Sequence, residues 1–252
     1  MKRKKLTARL SILSATALLS IQPASAMHIM EGYMPLDWCA IWYALSLPFV
    51  VLSFMYLRRQ VKRSPRIRIS LGLAGAFVFV LSALKLPSVT GSSSHLTGTT
   101  LGTVTIGPMA MPLLGLIVLL FQALLLAHGG ISTLGANVFS MAVAGPFVAY
   151  AVYILLGKIG FNKQEKLRHI KLFITTFLGT MATYITTSFQ LAIVYPDAQS
   201  GIWGAAMKFL SLFAVTQVPL AILEGIITAL VFSILLKQGV KPVYMMIADN
   251  NK

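Results

Sequence analysis

The chain has 252 residues, 57% of them hydrophobic and only 11% charged, with a mean hydropathy of +0.81, which excludes an ordinary water-soluble globule. Its formal charge of +15 does not point to nucleic acid, because Lys and Arg fall in short clusters between apolar runs, as the positive-inside rule expects of a membrane protein. The single cysteine, Cys39, excludes a disulfide framework and a Cys-based zinc cluster and is read as a small packed hydrophobe.

Residues 1–26 divide into a basic front (Lys2, Arg3, Lys4, Lys5, Arg9), an apolar run over residues 10–21, and Gln-Pro-Ala-Ser-Ala. This is the pattern of a secretory signal peptide cut after Ala26, the alternative being an uncleaved anchor. Cleavage leaves residues 27–252 as one domain whose first residue, Met27, lies outside the membrane. Residues 38–57 make the first span. Arg58, Arg59, Lys62, Arg63, Arg66 and Arg68 follow with no acid among them, which places their loop in the cytoplasm.

Residues 69–86 return outward and put the Ser-rich stretch ending at His95 on the outer side. Spans at 109–127 and 138–156 come next, then a second basic loop with Lys158, Lys163, Lys166, Arg168 and Lys171. For that loop also to lie inside, one more passage is required between residues 87 and 137. The best candidate is residues 96–109, short and rich in Gly and Thr, a passage tolerated only if other helices shield its backbone or it lines a polar cavity. The loop from His128 to Asn137 is then external. Residues 172–195 cross outward, and residues 205–236 return to Lys237 and Lys241, with Pro219 a candidate bend. The expected architecture is an all-α membrane bundle of about seven transmembrane helices, its mature N-terminus outside and its C-terminus cytoplasmic.

Three of the four histidines, His28, His95 and His128, fall on the outer side. Cleavage after Ala26 gives Met27 an α-amine. That amine, the amide nitrogen of His28 and His28 Nδ1 can close adjacent five- and six-membered chelate rings in one plane. A planar nitrogen set suits Ni²⁺, Cu²⁺ or Co²⁺ and not Mg²⁺ or Ca²⁺. His95, in a loop where Ser and Gly let the backbone approach closely, can supply a fourth nitrogen. A hydrogen-bonding structural histidine is the plainer alternative, above all for His128, and His169 in the basic loop is read as solvated.

Glu224 is the costly group. A charge at mid-bilayer costs on the order of 3 kcal/mol, so it should face the bundle interior or a partner, with Gln217 a possible neighbour. Lys85 and Lys208 are the other ionisable groups read as lying within spans. Met30 and Met34 are read as packing, and Ala40 with Ala44 forms a weak small-xxx-small pattern for subunit docking. The sequence contains no G-x-x-x-x-G-K-[ST], no H-E-x-x-H and no G-x-S-x-G, so an ATPase site and a membrane enzyme are disfavoured.

Three stretches, M-H-I-M-E-G-Y-M-P from Met27, P-S-V-T-G-S-S-S-H-L-T-G-T-T-L-G from Pro87 and A-H-G-G-I-S-T-L-G-A-N from Ala127, resemble the CbiM/NikM family. Its members are the substrate-capture components of energy-coupling factor transporters for cobalt and nickel. The resemblance covers essentially the whole mature chain. It implies a seven-helix subunit of the cell membrane that holds Co²⁺ or Ni²⁺ as cargo, with no cofactor, through the amine of Met27, backbone and ring nitrogens of His28, and the ring of His95. His128 and Asn137 are then expected to shape the site or its covering loop. It also implies partners: a transmembrane coupling subunit, ATP-binding subunits and a small accessory membrane subunit. The I-M-E-G beginning is closer to the cobalt branch, which feeds cobalamin synthesis. The leader departs from members that start directly at the Met-His equivalent. A nickel-specific subunit and a self-sufficient channel or secondary carrier are the alternatives.

Overall fold

The computed structural model describes residues 28–63, 67–84, 86–87, 93–162 and 164–237. The expected signal peptide, Met27, Lys85, Lys163 and Lys241 lie outside the described residues. Seven helices carry the described chain: α1 (Leu36–Arg63), α2 (Ile67–Ala83), α3 (Thr99–Ile106), α4 (Pro108–Leu126), α5 (Leu134–Phe161), α6 (Glu165–Val194) and α7 (Gly201–Lys237). Five of them, α1 and α4 to α7, are long and apolar enough to cross a membrane. The chain is a multi-pass membrane protein, and helices are what such a solvent demands, since each backbone donor must find its acceptor within the segment.

α1 is buried over little of its surface and exposes Leu45, Leu47 and Phe54, side chains suited to lipid. α2 is apolar over 17 residues. α3 has eight residues, all buried except Thr105, so the short Gly/Thr passage is shielded by its neighbours as its composition requires. Left-handed Gly98 (φ +66) precedes α3 and Gly107 (φ +95) ends it, conformations that only glycine adopts without cost. A Cβ on Gly98 would also lie 3.1 Å from the Cα of Val78, so this turn rests on the backbone of α2.

α4 opens with Pro108 and Pro112 in its first turns, where the missing N–H costs nothing. α5 is wound more widely over Val138–Ala144 and Gly157–Phe161, the π-type geometry that often marks functional sites. α5 and α6 meet at small residues: a Cβ on Gly145 would fall 2.2 Å from Thr183 Oγ1, and one on Gly179 would fall 2.8 Å from Ala149 Cβ. Such contacts let backbones approach where lipid supplies no hydrophobic drive. α7 continues unbroken through Pro219.

Leu86–Pro87 and Ser93–Ser94 pair as a two-residue antiparallel ladder, too short to alter the all-helical class. Two expectations are corrected. Lys208, near the start of α7, is exposed and pairs with Asp197 instead of being buried. His169 is half-buried, with Nε2 2.5 Å from Ser233 Oγ on α7.

Candidate metal centre

Residues 28–35 form a strap laid across the start of α5 and the loop before it. The Asn137 side chain pairs with both backbone groups of Ile29: the Ile29 N–H donates to Oδ1 at 2.9 Å and Nδ2 donates to the Ile29 carbonyl at 3.0 Å. Thr133 Oγ1 adds a donor to the same carbonyl at 2.6 Å. The Ser132 N–H donates to Glu31 Oε2 at 3.0 Å, and Tyr195 OH, just past α6, donates to the Tyr33 carbonyl at 2.6 Å. A Cβ on Gly130 would sit 2.6 Å from the Glu31 backbone, so the glycine after His128-Gly129 is required for the strap to lie flat. Hydrogen bonding from Ser132 holds the Glu31 carboxyl below its usual range.

The strap delivers His28 to the interior, where it is 2% exposed. Its Nε2 lies 3.2 Å from Gln122 Oε1 on α4. Gln122 Nε2 donates to Ser82 Oγ at 2.5 Å, and the Ser82 hydroxyl donates to the Val78 carbonyl. The direction of this chain is fixed from its far end, because a carbonyl only accepts. Gln122 therefore turns its oxygen to His28, the proton sits on His28 Nε2, and Nδ1 keeps its lone pair. Donation of the outer ring N–H to a fixed acceptor is how ligating histidines are oriented.

His95 is fixed in the opposite sense. Its Nδ1 is 2.8 Å from the Leu96 carbonyl, so Nδ1 carries the proton and Nε2 the lone pair. The segment after it is anchored by Glu224, which is fully buried. The carboxylate accepts from the Thr97 N–H at 2.8 Å, the Thr97 hydroxyl at 2.5 Å, the Gly98 N–H at 2.8 Å and the Thr180 hydroxyl at 3.2 Å. Glu224 thus faces the bundle interior and ties α7 and α6 to the entry of α3.

His28, His95 and His128 come together. Their ring centroids are 4.4 Å (28 and 95), 4.8 Å (28 and 128) and 4.8 Å (95 and 128) apart. One ring nitrogen from each lies within 4.8 Å of the others, and all three residues are buried. A buried set of three imidazole rings offers nitrogen donors, suited to late divalent transition metals and poorly suited to Mg²⁺ or Ca²⁺. Asn137 holds the strap next to this cluster. Sequence reasoning missed Gln122 and Ser82, although Gln122 is the one polar side chain in the apolar run of α4 and could have been singled out on that ground.

Residues 28–241 match the family described as the cobalt uptake substrate-specific transmembrane region, CbiM. The chain is similar to the cobalt transport protein CbiM of Acetoanaerobium sticklandii, 55% identical over 214 residues that cover 85% of this chain and 86% of that protein. It is also similar to the cobalt transport protein CbiM of Streptococcus sanguinis, 52% identical over 242 residues and 96% of each chain. A crystal structure of a transition metal transporter superposes with a TM-score of 0.73 at 26% identity, covering 89% of this chain and 99% of that one. A truncated transition metal transporter gives 0.70 at 28% identity, covering 84% and 99%.

Proposed function

We propose that this chain, which belongs to the CbiM family of cobalt-uptake transmembrane proteins, captures Co²⁺ at the outer face of the membrane as the substrate-binding subunit of an ATP-driven importer. The observation that carries this reading is the buried cluster of three imidazoles, with one nitrogen of each within 4.8 Å of the others. The α-amine of Met27, the amide and Nδ1 of His28, and Nε2 of His95 bind the ion. His128 closes the third side. Seven crossings, counting α2 with its flanks and the buried α3, put the mature N-terminus outside and the basic loops inside.

The chain has no phosphate-binding loop of its own, so ATP-binding subunits, a transmembrane coupling subunit and a small accessory membrane subunit supply the power stroke of an energy-coupling factor complex. The imported cobalt feeds cobalamin synthesis. Nickel would suit the same four nitrogens and is the alternative cargo. Capture displaces protons from the amine and the His28 amide, so affinity falls as pH drops.

Adding one residue before Met27 destroys the chelate without touching the bundle. Cobalt uptake should be lost in that variant, and unchanged uptake would remove the terminal chelate. Uptake that persists in cells lacking the ATP-binding partners would favour a self-sufficient channel or carrier. The closeness of His128 favours a second donor set made of three rings alone. His128→Ala separates the two: it should leave cobalt affinity within a few-fold if the four nitrogens suffice.

A further inference from the structure

The end of the bundle remote from the histidines holds a cavity lined by cations. Tyr195, just past α6, touches the strap, and Lys171 lies 24 residues earlier, about 36 Å away along a helix rising 1.5 Å per residue. There α5 widens over Gly157–Phe161, with Gly160 at φ +98, and a cavity of about 680 Å³ opens between α5, α6 and α7. Lys158, Arg168 and Lys171 line it, and no carboxylate among the described residues does. Ile154, Leu172 and Phe232 make the rest of its wall apolar.

Lys171 is the unusual member. It is 3% exposed, its ammonium stands 3.3 Å from the centroid of the Tyr153 ring, and it donates to Asn162 Oδ1 at 2.9 Å. Both partners are neutral. A Cβ on Gly157 would fall 3.2 Å from Lys171 Nζ, so the lack of a side chain at Gly157 leaves room for the ammonium. The two ion pairs among the described residues are Lys208 with Asp197 and Lys237 with Glu165, and neither involves the cations of the cavity. A buried ammonium with no anion near it is expensive. Two further cations around an adjoining space make that space a place for an anion.

We propose that this cavity binds the phosphate of an anionic phospholipid, held by Lys158, Arg168 and Lys171, with an acyl chain along Ile154, Leu172 and Phe232. The depth favours a lipid. α6 has 30 residues, about 45 Å of helix against a hydrocarbon layer of about 30 Å. Lys171 is about 9 Å from the start of α6, at the level of the headgroups. Basic pockets between helices at that level are suited to acidic headgroups. The bound lipid ties α5 to α6 and α7 at the end where no hydrogen-bonded strap does so.

Thermal unfolding and native mass spectrometry of the purified full-length protein test this, with phosphatidylglycerol, phosphatidylcholine and sodium phosphate as separate additions. Phosphatidylglycerol should raise the unfolding midpoint by several degrees and stay bound in the gas phase, while phosphatidylcholine does neither. Lys171→Met should abolish both effects. If that variant does not fold, the double change Lys158→Gln with Arg168→Gln, at two exposed positions, should reduce both. Sodium phosphate matching the lipid would contradict a lipid as the source of the anion. No response to phosphatidylglycerol, or an equal response in the variants, would overturn the site.

Discussion

His28 and His95 meet in one cluster but are held there by different physics. The strap that carries His28 is fixed by neutral groups: the Asn137 amide and Thr133 hydroxyl on the Ile29 backbone. The segment that carries His95 is fixed by an ionisable carboxyl, Glu224, buried and accepting from four donors. The strap's hydrogen bonds join neutral groups and contribute about 1 kcal/mol each, whereas breaking up a network around a buried ionisable carboxyl costs several. The strap is therefore the half that can be loosened without unfolding, and the His95 segment is part of the bundle itself.

The largest effect should come from Glu224→Ala, which strands the Thr97 and Gly98 N–H groups inside the bundle. A loss of about 3 kcal/mol or more in stability is expected, read as a lowered unfolding midpoint in detergent. An unchanged midpoint would erase the distinction between the two halves. Asn137→Ala should leave the midpoint nearly in place and weaken cobalt binding by about 10- to 100-fold, since the Ile29 backbone loses two partners worth about 1 kcal/mol each. Calorimetric titration with Co²⁺ reads this. Gln122→Leu should also act on affinity, by about 10-fold, because the acceptor that fixes the proton on His28 Nε2 is gone.

The smallest effect concerns Glu31. Its folded pKa is lowered from the usual 4.5 by hydrogen bonding from Ser132. The contribution is therefore present above pH 4.5 and is lost as pH falls below that value through the folded pKa. At an exposed site it amounts to a few tenths of a kcal/mol. Glu31→Gln should flatten that acid limb in a pH series of unfolding midpoints while leaving stability near neutrality almost unchanged.

Much of the bundle was legible because apolar run length and basic clusters are local properties. Residues 96–109 were singled out by counting crossings, and their burial as α3 follows from the same lack of side-chain bulk that made them conspicuous. Glu224 was legible as an expense, but not as an anchor for His95, since Thr97, Thr180 and Glu224 meet only through tertiary packing. His128 was hardest to read from sequence. Taken singly it is one ring in a polar loop; the resemblance names it only as a shaper of the site, and its place beside His28 and His95 emerges from tertiary packing. The hairpin at Leu86–Pro87 and Ser93–Ser94 is too short to leave any period, and the Lys171 cavity depends on a local widening of α5 that no residue pattern announces.

Nitrogen capture of a divalent transition metal by the histidine cluster is the function proposed for this chain. Cobalt K-edge absorption of the purified protein, compared with its His95→Ala variant, tests this most directly. One cobalt per chain in a nitrogen shell with imidazole scattering, diminished in the variant, is the predicted result. An oxygen-dominated shell, or a spectrum and cobalt content unchanged by His95→Ala, would contradict it.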